Sequence, residues 1–434
     1  MTWNPYAGDA YLDFPQVEAW AKGLAEALPA WIRLESVGES RQGRGMWLLT
    51  LGDHAGQPED RPAFWIDGGT HAGEWTGVMS TVYAISRWAE ALEAGDPETC
   101  DWFRKHTIYG MPCISPDGFQ ALHEGAPWLR STVRPPREGG IRTGLDPCDM
   151  TGDGVVRQMR WRHPAGPFVA AGDSGAMRPR TLDDDPGDAY FLCAEGQFLT
   201  WDGTRWNQAT LKHGLDLNRN FPSSWKPFSM FGMDGGSHPT SEPESRAVVE
   251  AFSRRPFVGA AVTNHTYTGA ILLPPHRPDS ELSKTDLRLM ERLGAQAVQD
   301  TGYRTFAIHP DFTYDPDNPI VGVWDDTMTS VFGVAAFTLE LWDPFAFAGQ
   351  PNPQPAKFWT NPDPAVVQGL VEAFAQEPGC LAPWEPMEHP QLGAVDIGGI
   401  ELTRTMHNPP DRLLRAECER GLLVYDRVRR ALPE

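Results

Sequence analysis

The sequence predicts an α/β protein built in three layers, α/β/α, around a mixed, largely parallel central sheet. Three observations lead there. Short apolar runs of strand length alternate with longer stretches of helical periodicity, the pattern of a sheet covered on both faces. No fixed-period repeat interrupts this alternation, which excludes solenoids and propellers. The composition is globular: 434 residues, 41% hydrophobic and 22% charged, with 17 Trp and 20 Phe to anchor a sizeable core.

The elements follow in order. Residues 15 to 28 carry apolar side chains at helical spacing behind Asp13, a candidate N-cap, with Pro15 in the first turn. The run 47–51 reads as a strand, and 63–67 as another that passes straight into Gly68-Gly69-Thr70-His71. A helix is expected from about 75 to 93, then a strand at 107–112 ending in the turn Ser115-Pro116-Asp117-Gly118. From 135 to 213 periodicity disappears and Pro, Gly and Asp dominate. A structureless loop of that length does not suit a compact domain, so an ordered insertion with short elements is expected. Alternation then resumes. Ser241 and Glu244 form a capping box, with Pro243 in the first turn of a helix reaching about 253. Strands are expected at 258–263 and 334–339 and a helix at 284–300; Asp363-Pro364 and Asn408-Pro409 open two more helices, the last reaching about 431. The expected organisation is one catalytic domain over 1–376, carrying the insertion, and a C-terminal extension over 377–434 that ends in a helix and packs on the same domain.

Charge and cysteines narrow the function. With 58 acidic and 37 basic residues the formal charge is −21, a surface that repels phosphate backbones and anionic lipid. Neither a nucleic-acid partner nor a membrane is expected, and no stretch approaches the ~18 apolar residues of a transmembrane helix. The first residues lack the basic and apolar regions of a secretory signal, and the six cysteines are scattered without a C-x-x-C pair. Free thiols in a reducing compartment, hence the cytoplasm, are the expectation. Gly (43) and Pro (40) predict many turns and long ordered loops.

The residues that carry chemistry stand at the ends of expected strands, where open α/β sheets bind ligands. His71-Ala72-Gly73-Glu74 is an H-x-x-E between a strand and a helix, able to offer an imidazole nitrogen and a carboxylate to one Zn²⁺. His265 follows the strand 258–263. Glu340 stands inside an apolar strand ending, where an unpaired charge costs several kcal/mol and calls for a cation, a metal-bound water or a raised pKa. Leu215-Asp216-Leu217-Asn218-Arg219-Asn220 sets an amide beside a guanidinium, a natural carboxylate clamp. Each feature alone is common: a loop His, a core His, a buried ion pair, a surface Asn-Arg. Their order along one chain is not.

That order, H-x-x-E, D-x-N-R-N, strand-His, apolar-Glu, resembles the zinc carboxypeptidases of the carboxypeptidase A/B superfamily over most of the chain. Gly38–Arg44 looks like the family's early glycine-serine turn, and Ser115-Pro116-Asp117-Gly118-Phe119 like its Asn-Pro-Asp-Gly turn with Ser for Asn. Arg130, thirteen residues past Asp117, stands where the family carries its oxyanion arginine. The resemblance implies one Zn²⁺ per chain held by His71, Glu74 and His265, with Glu340 as general base and Arg130 facing the oxyanion. It further implies that Asn218 and Arg219 hold the terminal carboxylate of a peptide or peptide-like substrate. Tyr314 is the candidate for the family's mobile tyrosine. Residues 319–326, which hold both apolar side chains and Asp325 and Asp326, leave open whether the removed side chain is apolar or basic. The insertion resembles that of certain bacterial members. Within it Asp149-x-Thr151-x-Asp153-Gly154 resembles the start of a calcium loop, but Arg160 stands where the bidentate Glu would fall, so an Asp-rich turn is expected.

The reading is therefore a zinc exopeptidase that removes C-terminal residues. The alternatives are an amidohydrolase of the same superfamily (a cell-wall peptide hydrolase, a deglutamylase or a small-molecule deacylase) and a metal-free binding module.

Overall fold

Eight strands form the central sheet, in the spatial order Ile32–Glu39, Gly45–Leu51, Thr107–Met111, Ala63–Gly68, Val258–Thr266, Ala335–Leu341, Ala270–Leu273, Arg304–Ala307. The four from Thr107–Met111 to Ala335–Leu341 run parallel, and antiparallel pairings on either side make the sheet mixed. The computed structural model describes residues 3–134, 142–172, 175–203, 206–278, 282–315 and 317–433, with the backbone alone at 402–404. Positions 135–141, 173–174 and 204–205 of the expected insertion lie outside the described residues.

The period-2 geometry of a strand splits the core into two. Phe64, Ile66, Val262, Phe337 and Leu339 pack to one side with the helices Phe14–Ala27, Trp75–Glu93, Lys284–Ala297 and Asp411–Arg429. Trp65, Ala261 and Ala336 pack to the other with Pro243–Ser253 and Trp324–Ser330. The three expected layers are present. The same alternation decides where the chemistry goes. His265 shares the parity of Ala261, Glu340 that of Ala336, and the two lie directly opposite in the parallel register. Both therefore project from adjacent strand ends on one face.

Local signals explain most elements. Asp13 caps Phe14–Ala27 and forms a capping box with Gln16. The helix Trp75–Glu93 begins and ends where periodicity puts it. Three expectations are corrected. Ser115-Pro116 does not close a turn but opens the helix Pro116–His123, with Ser115 at the N-cap and Pro116 at the first helical position. The Ser241/Glu244 capping box does not form: Glu242 is the N-cap, the Ser241 hydroxyl donates to Glu242 Oε1, and Glu244 is buried. Asn408 does not cap the last helix, Asp411–Arg429, because its amide is engaged elsewhere. The sequence reading also passed over the strand Ile32–Glu39, a half-exposed edge, and the short, polar helix Pro97–Lys105.

A second sheet of six strands joins the insertion to the C-terminal segment. Its order is Leu381–His389, Gly393–Ile400, Gln158–Arg162, Tyr190–Ala194, Phe168–Ala170, Met177–Pro179. The Asp149 carboxylate accepts from the backbone N–H groups of Thr151, Gly152 and Gly154, which makes an Asp-rich turn. Arg160 pairs with Asp396, its guanidinium 4.2 Å from the Trp384 ring and 4.9 Å from that of Tyr190. The helix Asp411–Arg429 packs on Trp75–Glu93, where Tyr425 and Ser80 share a hydrogen bond of 2.7 Å. All six cysteines are free thiols, and among the described residues no helix is long and apolar enough to cross a membrane.

Candidate active site

The loop that carries His71 and Glu74 is pinned where the central strand Ala63–Gly68 meets the helix Trp75–Glu93. Gly68 allows the close approach: a Cβ there would meet the Gly77 carbonyl oxygen at 2.5 Å. The loop is also tied to the segment carrying Arg130, through Ala72 N–H to the Arg130 carbonyl at 2.8 Å.

The structure brings His71, Glu74 and His265 together, all buried. Glu74 Oε1 lies 2.9 Å from His71 Nδ1, Glu74 Oε2 lies 2.9 Å from His265 Nδ1, and the two Nδ1 atoms are 3.0 Å apart. The backbone N–H of Thr266 donates to Glu74 Oε2 at 3.1 Å. On the far side of the ring, His71 Nε2 faces Asp216 Oδ1 at 3.1 Å. Burial alone would raise Asp216, but Arg219, His71 and Arg130 outweigh it and hold this carboxyl well below the usual range. An ionised Asp216 can only accept, so the His71 Nε2–H donates to it, and Nδ1 is the ring atom that faces Glu74 and His265. Two ring nitrogens and a carboxylate converge there. That donor set, two imidazoles and one carboxylate, fits Zn²⁺, and Asp216 is the outer carboxylate that orients such a ligand.

Glu340 opens on a cavity of about 1180 Å³ that Arg130, Asp216, Arg219 and Tyr314 also line. One of its carboxylate oxygens, Oε2, is buried without a hydrogen-bond partner. Burial, reinforced by the charge of Glu74 and only partly offset by Arg130, pushes Glu340 well above the ordinary carboxylate range. Arg130 donates to Glu74 Oε1 at 3.0 Å and lies 3.9 Å from Asp216. Tyr314 stands with its ring edge-on to Phe231 at 5.7 Å. Burial raises its phenol, and Arg130 and Arg219 oppose that rise. Arg219 reaches the cavity, 3.8 Å from Asp216. Its neighbour Asn218 is more committed: its amide oxygen accepts from the Trp324 backbone N–H at 2.9 Å.

The acids of 319–326 lie deeper. Asp325 Oδ1 meets His276 Nε2 at 3.0 Å and Oδ2 accepts from Thr338 Oγ1 at 2.8 Å, while Asp326 accepts from the His276 backbone N–H at 3.1 Å. His276, Asp325 and Asp326 form a second buried cluster of potential metal ligands. None of the three lines the cavity.

The sequence profile of the family described as zinc carboxypeptidase matches residues 17–150 and 189–357. The chain belongs to this family. The matched spans contain every candidate site residue named above and leave out 1–16, 151–188 and 358–434. Among curated relatives, carboxypeptidase B of Astacus astacus is 34% identical over 110 residues, which is 25% of this chain and 34% of that protein. Human carboxypeptidase B is 28% identical over 139 residues, 32% of each chain. The chain spans about a third of the length of these relatives. Two solved structures share the fold. Bovine thrombin-activatable fibrinolysis inhibitor, in complex with tick carboxypeptidase inhibitor, aligns with a TM-score of 0.54 at 15% identity, over 98% of this chain and 97% of that one. Carboxypeptidase A from Helicoverpa armigera gives 0.50 at 17% identity, over 86% and 75%.

Sequence reasoning missed two parts of the site. Asp216 was in view inside its motif, and the signal was its place two residues ahead of Asn218-Arg219. His407, Tyr267 and Trp359, which also line the cavity, carry no spacing that marks them. Burial lowers His407 to about 4, so it presents a neutral imidazole.

Proposed function

We propose that the chain is a zinc-dependent metallocarboxypeptidase that hydrolyses the C-terminal residue from peptides, with one zinc per chain and Glu340 as general base. One observation carries the reading: a buried cluster of imidazole and carboxylate donors is hydrogen-bonded to Arg130 and Asp216, which line a cavity together with Arg219 and with Glu340, whose Oε2 has no partner. His71, Glu74 and His265 would hold the ion, which supplies Lewis-acid activation of a water and of the scissile carbonyl. Glu340 takes a proton from the attacking water and returns it to the departing amine. Arg130 turns its guanidinium to the oxyanion as charge develops. Arg219, with the remaining N–H₂ group of Asn218 and the Tyr314 hydroxyl, receives the substrate's terminal carboxylate. Asp216 keeps His71 in the tautomer that binds metal.

The test is a peptide set digested as free acids and as C-terminal amides and read by mass spectrometry, with γ-linked glutamate and D-residue termini included. Losing a charge-assisted contact at such a site costs about 2–5 kcal/mol, so amides should be cut roughly 30- to 4,000-fold more slowly. Equal cleavage of acids and amides refutes the clamp, and cleavage confined to γ-linked or D-containing peptides moves the function to a specialised amidohydrolase.

A further inference from the structure

Two walls line the same cavity as Glu340 and Arg130. The first holds Arg219 and Tyr314 with Phe228 and Phe231; the Arg219 guanidinium lies 5.1 Å from the Phe228 ring centre and Phe231 meets Tyr314 edge-on. The second is built on Tyr267, whose ring meets Trp359 at 5.7 Å and His407 at 5.9 Å, while Trp359 stacks on His407 at 6.1 Å and 14°. Phe358, Leu370, Phe374 and Met406 continue this wall. Apart from Tyr267, all of it comes from residues beyond the family-matched span, which ends at 357.

The second wall is fixed to the metal-binding loop rather than draped over it. Asn408, next to His407, donates from its amide nitrogen to the Gly73 carbonyl at 2.9 Å and accepts on its amide oxygen from the Thr76 N–H at 3.0 Å. Trp342 Nε1 donates to the Thr405 carbonyl at 3.1 Å. The wall is apolar and yet open: Trp359 is 46% exposed, whereas Tyr267 is 5% exposed and its buried hydroxyl has no partner. Arg157, Glu401 and Asp411, which also reach the cavity, have interaction partners of their own.

We propose that this wall is a subsite for a bulky, uncharged apolar group, aromatic or aliphatic, attached on the acyl side of the bond that is cut. The inference rests on the carboxypeptidase reading. With the terminal carboxylate at Arg219 and the scissile carbonyl between Arg130 and Glu340, the first wall is taken by the departing residue. The acyl portion of the substrate is left to the second. Its rings offer flat apolar area, and the Tyr267 hydroxyl and the neutral His407 offer hydrogen bonds without a charge. A cationic or anionic group would lose its hydration there and gain no counter-charge.

The experiment uses one dipeptide with a free C-terminus, carrying N-acetyl, N-hexanoyl or N-octanoyl groups. Each buried methylene is worth about fourfold, so burial of about two or three of the added methylenes should raise kcat/KM about 10- to 100-fold from acetyl to octanoyl. Trp359→Ala should cut the octanoyl-to-acetyl ratio at least about fivefold, and Trp359→Phe should restore most of it. The same ratio is read as Kd by calorimetry on zinc-loaded Glu340→Gln protein, which needs no turnover. A flat series with the acetyl peptide still cut overturns the subsite and leaves the carboxypeptidase standing. If the wild type cuts none of the peptides, the activity reading fails, and the Kd series alone decides: tighter octanoyl binding supports the subsite, equal binding overturns it.

Discussion

Two buried clusters of histidine and carboxylate lie near the same sheet and differ in how their charge is resolved. Around Glu74, His71 donates outward from Nε2 to Asp216, and its Nδ1, that of His265 and the Glu74 carboxylate face one another at about 3 Å. Around Asp325, the imidazole of His276 points a nitrogen at a carboxylate whose other oxygen accepts from Thr338. Burial would lower His276, but Asp325 and Asp326 outweigh it and raise its pKa, so that cluster resolves its charge with a proton. Neither set of three lines the cavity itself, but the first is hydrogen-bonded to Arg130, Asp216 and Thr266, which do. Both sets offer donor atoms within reach of one ion. What separates the two is whether an outer carboxylate has already claimed the imidazole proton.

Predictions that test this contrast are ranked by expected loss of turnover. Glu340→Gln should lose about 10²–10⁴-fold in kcat, the range for general acid–base help, while zinc measured by elemental analysis stays at the wild-type level. Loss of zinc in that protein would make Glu340 a ligand instead of a base, and the first cluster would be larger than three residues. Asp216→Asn comes next. An amide can still meet the imidazole, but it no longer requires the proton on Nε2. Zinc affinity, measured by competition with a chelator, should fall about 10- to 100-fold, as for other outer-sphere partners, and activity should return as zinc is added. An unchanged affinity would remove the distinction drawn between the clusters.

How much of this was legible in the sequence follows the same physics. His71, Glu74, His265 and Glu340 were each legible at or just past a strand end, where open α/β sheets bind ligands, while their grouping into one site came from the resemblance. Arg130 and Tyr314 stand outside strands and were legible only through resemblance; both reach the cavity. Asn218 was legible as a residue but not as a hydrogen-bond account, since the Trp324 N–H that takes its oxygen is 106 positions away. Asp325 and Asp326 suggested a specificity pocket until His276 and Thr338, on other elements, proved to occupy them. The wall of Trp359 and His407 was illegible because its position depends on Asn408 reaching Gly73 across 335 residues.

The smallest expected effect on turnover belongs to His276, and it tests the other half of the contrast. His276→Gln should leave zinc content at the wild-type level, since no ligand of the first cluster is touched, and should instead lower stability. Removing one partner of a buried pair costs about 3–5 kcal/mol. The cost should depend on pH in a defined direction. A raised imidazole pKa contributes stability that is complete below the unfolded value of about 6.5 and is lost as pH rises through the folded value. Asp325 is depressed: burial would raise it, but His276 and its hydrogen bonds prevail, so its contribution is lost only as pH falls below about 3.9. Asp326, raised by burial and by the charge of Asp325 against the pull of His276, works the other way, costing stability once pH exceeds about 3.9. The thermal midpoints of wild type and His276→Gln should therefore differ most between about pH 4 and 6.5 and draw together above that. A gap that instead widens as pH rises through about 6.5 would mean that His276 stays neutral in the folded protein, and that the second cluster does not resolve its charge with a proton.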